Sequence, residues 1–503
     1  MWKAEGRMQD LSDARIDDSN FGGRIRSAVF WRSGSQIISQ VVSWTCTLIV
    51  VRLLDPADYG LFAMTQVVLN FMSFMNGYGL VSALVQAPSL EAKQVRQAFG
   101  LMLVLNLGLA LAQLTLAGVA ADYYGQPMVA DLLRVQALIY LSTPFISLPE
   151  VLIGRSLDFR RSAIVNIVTA LIAALTALTG ALLGWGVWTL VIAPLVGFWA
   201  KAAGNVIVTR FFIWPIFDFR GTGQMIAFGM ALLGSQLLIM IQSQSDILIG
   251  GRFLGAHELG LYAEALFLTQ IFMSRFIPPL NEVAFPAYAR MQSDKVLLGR
   301  SFRRAARLIL LIACPLYLGM AVVAAPLVEL LFGSKWLGMA PLVSILALSM
   351  PCYALQVLFS PALNAIGLPR LTATISAIGA LLMPVSFLIG VRMGVMGLAV
   401  AWGAGILLLT LATIRIAAPA IGLRPASFAG VILPSLCASL PMALAVHVLG
   451  LMLPPLPVAA RLGLLVSAGV IIYGVSLFIC ARETLDELLA MLRGRPLPLK
   501  TAG

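Results

Sequence analysis

Charge is scarce in this chain: Asp, Glu, Lys and Arg together make up 11% of its 503 residues, while apolar side chains make up 60%. A water-soluble surface is about a quarter charged, so this composition excludes a soluble protein of that length. Histidine occurs twice, at His257 and His447, and no Gly is followed by Lys. A P-loop is therefore absent and ATP hydrolysis is not expected. No catalytic, metal or cofactor constellation stands out, so the chain does not read as an enzyme and no cofactor is expected. The five cysteines, Cys46, Cys314, Cys352, Cys437 and Cys480, lie in or beside apolar runs without paired spacing. They read as buried small hydrophobes rather than disulfides or a zinc site. Acidic residues number 22 against 34 Lys and Arg. That excess falls in short loops between apolar runs, where membrane lipids attract it, so nucleic acid is not an expected partner. Residues 1–30 hold no apolar signal-peptide core, and the first span is expected to direct insertion.

What fills the chain is hydrophobic sequence in runs of about 20 residues, the length that crosses a bilayer as a helix. Cutting at Gly, Pro and charged breaks gives fourteen spans: 33–53, 61–87, 98–120, 132–153, 163–184, 186–208, 225–250, 259–283, 303–326, 339–365, 372–392, 394–417, 427–450 and 458–480. The expected fold class is thus an all-α integral membrane protein of about fourteen transmembrane helices. With this cut, 27 of the 34 Lys and Arg fall on the side that holds both termini and 6 on the other, with Arg275 inside a span. The positive-inside rule puts both termini in the cytoplasm. Joining two spans would reverse the bias for every later loop, so charge and hydropathy support the same count.

The chain also repeats itself. A shift of 200 residues lays Gly34, Ser35 and Gln36 on Gly234, Ser235 and Gln236, then Ser43, Arg52, Leu54 and Gly60 on Ser243, Arg252, Leu254 and Gly260. A shift of 207 matches Ser142 and Pro144 with Ser349 and Pro351. The matches indicate two copies of a six-helix unit. The expected organisation is a cytoplasmic tail (1–32), an N-lobe (33–208), a linker (209–224), a C-lobe (225–417), two added helices (427–480) and a second cytoplasmic tail (481–503). An even number of spans per copy gives parallel repeats around a central cavity, the geometry of alternating access.

Polar groups inside spans are costly in lipid, so they mark interiors or wet cavities. Span 1 carries Gln36, Gln40 and Ser43; span 7 carries Gln236, Gln242, Ser243, Gln244, Ser245 and Asp246. Spans 2 and 8 add Asn70, Asn76, Gln86, Gln270, Arg275 and Asn281. Arg275 lies deep in span 8 and Arg32 at the mouth of span 1, and a guanidinium fork matches phosphate oxygens. The candidate substrate-binding set is Arg275, Arg32, Gln36, Gln40, Asn70, Gln236 and Gln270. Interhelical hydrogen bonding is the structural alternative for each amide, and snorkelling the alternative for Arg32. Asp246 is a candidate ion-coupling carboxylate, or else an interfacial partner of Arg252. The cluster Arg303, Arg304 and Arg307 reads as a snorkelling anchor that can also gather anionic lipid heads. Pro144, Pro149, Pro278, Pro279, Pro351 and Pro361 interrupt spans and mark bends.

Residues 51–63 (VRLLDPADYGLFA) and 80–86 (LVSALVQ) resemble the opening of the bacterial oligosaccharide flippases called Wzx. Residues 246–250, 259–262, 277–286 (IPPLNEVAFP) and 331–336 (LFGSKW) extend the likeness. That family is akin to the multidrug and toxin extruders and the peptidoglycan-precursor flippases. The resemblance implies two six-helix lobes around a cationic cavity in the bacterial inner membrane. It also implies transfer of an undecaprenyl-diphosphate-linked oligosaccharide from the cytoplasmic to the periplasmic leaflet for exopolysaccharide, capsule or O-antigen synthesis. Polymerase and export machinery are the implied partners. Arg32 and Arg275 match by position the Arg residues in the first and eighth helices of the peptidoglycan-precursor branch. A multidrug or cation antiporter, a peptidoglycan-precursor flippase and a nontransporting membrane enzyme are the alternatives. The loop at residues 88–97 lacks the charged Gly-x-x-x-Asp-Arg pattern of a major-facilitator carrier.

Overall fold

The computed structural model describes residues 21–74, 92–156, 159–210, 213–218 and 223–480. Among these residues every regular element is a helix, and the long helices correspond one for one with the fourteen segments. The first six spans run Phe21–Leu53, Pro56–Phe74, Ala92–Tyr124, Pro127–Gln136 with Leu138–Ser156, Phe159–Leu182 and Val187–Thr209. The next four are Gly223–Phe253, Ala256–Arg290, Lys295–Val322 and Ala340–Val357 with Phe359–Ala365. Pro369–Gly390, Gly394–Ala417, Ala429–Met452 and Val458–Cys480 complete the set. Span 1 becomes helical well before its apolar run, so Arg32 sits within a helix rather than at its mouth. Span 2 is described only to Phe74, and Asn76 and Gln86 lie outside the described residues.

The outer faces of these helices are apolar. Leu107 and Leu111 on span 3, Leu175 on span 5, Leu381 and Ile389 on span 11, and Ile471 on span 14 are all exposed. In water such a surface would aggregate; in lipid it faces a solvent as apolar as itself. Ten described stretches are long and apolar enough to cross a membrane.

Two compact units form. Among the described residues, the first runs up to Met240 and includes Gly251–Gly260, and the second comprises Ile241–Gly250 and the chain from Leu261 on. Within the first, span 1 packs on span 5, span 5 on span 6, span 4 on span 6, and span 3 on span 4. Within the second, span 9 packs on span 10, span 10 on span 12 and span 11 on span 12. These last three pairings are those of spans 3, 4, 5 and 6 at an offset of six, so the repeat seen in sequence is also a repeat of packing. The added helices attach through span 13, which packs on both span 9 and span 14.

Glycine decides one contact. In the first unit the starts of spans 2 and 8 cross so closely that a methyl on Gly60 would overlap the carbonyl of Ala256, and one on Gly260 the carbonyl of Pro56. The methyl would stand 2.7 Å from the carbonyl carbon in both cases. Pro56 and Ala256, like Gly60 and Gly260, are repeat-matched, so the contact is a segment meeting its own copy.

Part of the polar interior of the first unit is tied up in its own hydrogen bonds. Gln113 donates to the Leu133 carbonyl (2.8 Å) and accepts from the Tyr140 hydroxyl (2.7 Å), while Gln136 donates to Thr65 (3.1 Å). Such bonds tie spans 2, 3 and 4 together where no water competes. Among the described residues Cys46, Cys314, Cys352 and Cys437 are free thiols; Cys314 is buried, but Cys437 is exposed on span 13, contrary to its expected burial.

Candidate functional site

Span 8 stays helical from Ala256 to Arg290 although it contains Pro278, Pro279 and Pro286. Proline has no N–H to donate, so Pro278 removes the helical bond of the Ser274 carbonyl, four residues before it. Span 10 uses the same device: it breaks at Leu358, and Pro361 removes the helical bond of the Val357 carbonyl.

Between these two proline-bearing segments, wholly inside the second unit, lies a cavity of about 680 Å³. Its size falls in the range of small-molecule sites. Span 8 contributes Gln270, Ser274, Pro278, Asn281, Glu282 and Phe285, and span 10 contributes Tyr353, Val357, Ser360, Pro361 and Asn364 among others. Among the described residues the lining contains one carboxylate and no Lys or Arg.

Several of these polar groups have bonding capacity to spare. Asn281 Oδ1 is buried without a partner among the described residues. Asn364 is partly used, accepting from Thr372 at 3.0 Å and donating to Ser360 at 3.4 Å. The Ser274 hydroxyl donates back to the Ile271 carbonyl at 3.0 Å, which leaves its lone pairs open. The Asn281 oxygen is closed off from solvent and does not itself face the open volume, while the amides of Gln270, Asn281 and Asn364 and the hydroxyls of Ser360 and Tyr353 give the wall donors as well as acceptors.

A second feature of the same unit is Asp246, only 3% exposed. It accepts from the Tyr262 hydroxyl at 3.0 Å and from the Ile247 N–H at 2.8 Å. Its alternative partner from sequence, Arg252, is engaged elsewhere: that guanidinium bonds the carbonyls of Asp122 and Tyr123 and lies over the Tyr123 ring. Asp246 is therefore a buried carboxylate held by a phenol and a backbone amide, which is not the interfacial ion pair.

The remaining sequence candidates scatter. Gln270 lines the cavity. Arg275, one residue beyond Ser274, is exposed and does not line it. Arg32 and Gln36 are exposed on span 1, and Gln40 and Asn70 are half-buried. Gln236 belongs to the helix of span 7, with its side chain outside the described residues. Snorkelling does not account for Arg304, whose Nε and one terminal nitrogen are buried without a hydrogen-bond partner among the described residues. Two acids in span 8, Glu264 and Glu282, escape a reading by amides and arginines. The rule that an ionisable residue within a span marks function finds Glu264. Glu282 falls at the edge of the apolar run, where a charge is unremarked.

Residues 49–341, more than half of the chain, match the family described as polysaccharide biosynthesis protein. The succinoglycan biosynthesis transport protein ExoT of Rhizobium meliloti (strain 1021) is 27% identical over 319 residues, covering 63% of this chain and 65% of that protein. The lipopolysaccharide biosynthesis protein WzxC of Escherichia coli (strain K12) is 21% identical over 326 residues, 64% of this chain and 65% of that one. The matched regions thus span a little under two thirds of these relatives. Among solved structures, the lipid II flippase MurJ in an inward closed conformation superposes with a TM-score of 0.70 at 12% identity, covering 90% of this chain and 99% of that one. The two share the fold. By the family match, the chain belongs to the polysaccharide biosynthesis protein family.

Proposed function

We propose that the protein is a flippase that carries undecaprenyl-diphosphate-linked oligosaccharide units from the cytoplasmic to the periplasmic leaflet of the bacterial inner membrane. Transport is by alternating access of the lobes 33–208 and 225–417, with both termini in the cytoplasm. The observation that supports the reading is the polar cavity of spans 8 and 10, with one carboxylate and no Lys or Arg among its described lining residues, in a member of a polysaccharide biosynthesis family. Sugar hydroxyls both donate and accept, which suits a wall of amides, hydroxyls and a carboxylate. Arg275 and Arg32 remain the candidate holders of the diphosphate, with Gln36, Gln40, Asn70, Gln236 and Gln270 as polar contacts and Asp246 as the coupling carboxylate.

The test is a deletion strain assayed for surface glycan and for its lipid-linked precursor. Loss of the polymer, with the precursor accumulating on the cytoplasmic leaflet, is the expected result. A second reading, antiport of a cationic drug, draws on Glu282 and on a lining without Lys or Arg among the described residues. Normal glycan export together with lost drug efflux in the deletion strain would replace the first reading with the second.

A further inference from the structure

A lipid-linked oligosaccharide has two chemically opposite parts: its diphosphate only accepts hydrogen bonds, whereas its sugars donate through every hydroxyl. The cavity of spans 8 and 10 is biased toward one of them. Its lining carries the Glu282 carboxylate, the amides of Gln270, Asn281 and Asn364 and the hydroxyls of Ser274, Ser360 and Tyr353. A diphosphate meets like charge at Glu282, and no Lys or Arg among the described lining residues offsets that charge. Sugar hydroxyls, which both donate and accept, match a carboxylate, amides and hydroxyls alike, and Tyr353 and Phe285 add aromatic rings to the lining.

We propose that this cavity seats the sugar end of the substrate and that Glu282 sets its charge selectivity, admitting neutral and amino sugars and rejecting sugars that bear a carboxylate. The proposal rests on the flippase reading and adds the substrate class of the site. The expected discrimination follows from Coulomb's law. A second carboxylate about 6 Å from Glu282, at an effective dielectric of about 40, is disfavoured by about tenfold. Hydrogen bonding from a neutral hydroxyl or an ammonium carries no such penalty.

The experiment uses the full chain in proteoliposomes and three synthetic probes. Each is undecaprenyl diphosphate bearing a disaccharide whose outer sugar is glucose, glucosamine or glucuronate. The wild-type protein is expected to move the glucose and glucosamine probes about tenfold faster than the glucuronate probe. Glu282→Gln is expected to bring the glucose-to-glucuronate ratio to near one, and Glu282→Asp to keep it near the wild-type value. Equal wild-type rates for all three probes would overturn the charge filter without recourse to any variant. So would a wild-type ratio that persists in a folded Glu282→Gln protein, because the discrimination would then arise elsewhere. Failure of the folded wild type to move any probe is a different result: it overturns the flippase reading itself.

Discussion

The crossing of Gly60 and Gly260 makes a sharp prediction, because each glycine is opposed by backbone that cannot rotate away. A methyl at either position stands 2.7 Å from a carbonyl carbon of the other segment. Nonbonded heavy atoms settle at about 3.5–4.0 Å, and the carbonyl oxygen lies nearer the methyl than its carbon does, so the two helix starts must part by well over about 1 Å to admit it. Overpacking of this kind costs about 1–3 kcal/mol. The better helix propensity of alanine returns up to about 1 kcal/mol. Each single variant, Gly60→Ala or Gly260→Ala, should therefore lose about 1–2 kcal/mol and lower the apparent melting temperature of the purified protein. The double variant should lose less than the sum, since the first methyl has already spread the crossing that the second must enter. Gly34→Ala and Gly118→Ala are the controls, for nothing lies within 4 Å of either added methyl. Unfolding followed in detergent, with surviving protein counted by size exclusion after heating, gives all the values. Single variants as stable as the wild type would refute the contact, and strictly additive losses would refute its being one shared crossing.

Further outcomes are expected elsewhere in the chain. Asp246→Asn keeps the size of the side chain but removes its charge, and should impair glycan export at normal membrane abundance. Tyr262→Phe deletes one of its two donors and should lower stability by about 1–3 kcal/mol; complementation with quantified membrane levels, joined to thermal unfolding of the purified variants, reads both. Arg304→Leu removes a guanidinium with two buried nitrogens that have no partner among the described residues and should raise the apparent melting temperature, while a drop would show that Arg304 supports the fold. Cysteine labelling should find both termini on the cytoplasmic side and the loops near Asp122 and Lys335 in the periplasm; periplasmic labelling of the C-tail would contradict the charge-based topology.

All fourteen helices are legible in the sequence because a bilayer demands about 20 apolar residues per crossing, a constraint strong enough to show in a single chain. The repeat is legible too, down to the match of Gly60 with Gly260, although sequence cannot say that the two glycines touch. What stays hidden is direction. Hydropathy places Gln270 and Arg275 in the same span but does not tell which face each side chain takes, and the structure puts the first into the cavity wall and the second outside it. The partner of Asp246 is equally invisible. Arg252 has the complementary charge and lies close in sequence, but the hydrogen bond with Tyr262 becomes available only once spans 7 and 8 fold back on each other. Glu282 escapes because the apolar run ends there while the helix continues to Arg290.

The prolines matter more for their chemistry than for their bends. Read in sequence, Pro278 and Pro361 mark kinks, and a kink alone says nothing about ligands. Each of them also takes the usual helical donor from a carbonyl one turn back, and in lipid such a group must find another donor. Spans 8 and 10 place Ser274, Val357, Asn281 and Glu282 around one volume. Packing an apolar helix there would bury the Glu282 carboxylate and the Ser274 hydroxyl, both now exposed, without partners, and lipid chains offer no hydrogen bonds. Water or a hydroxylated ligand is the remaining occupant. A segment that gives up helix hydrogen bonds to line a wet cavity is therefore better explained by what passes through it than by the stability of the helix that carries it.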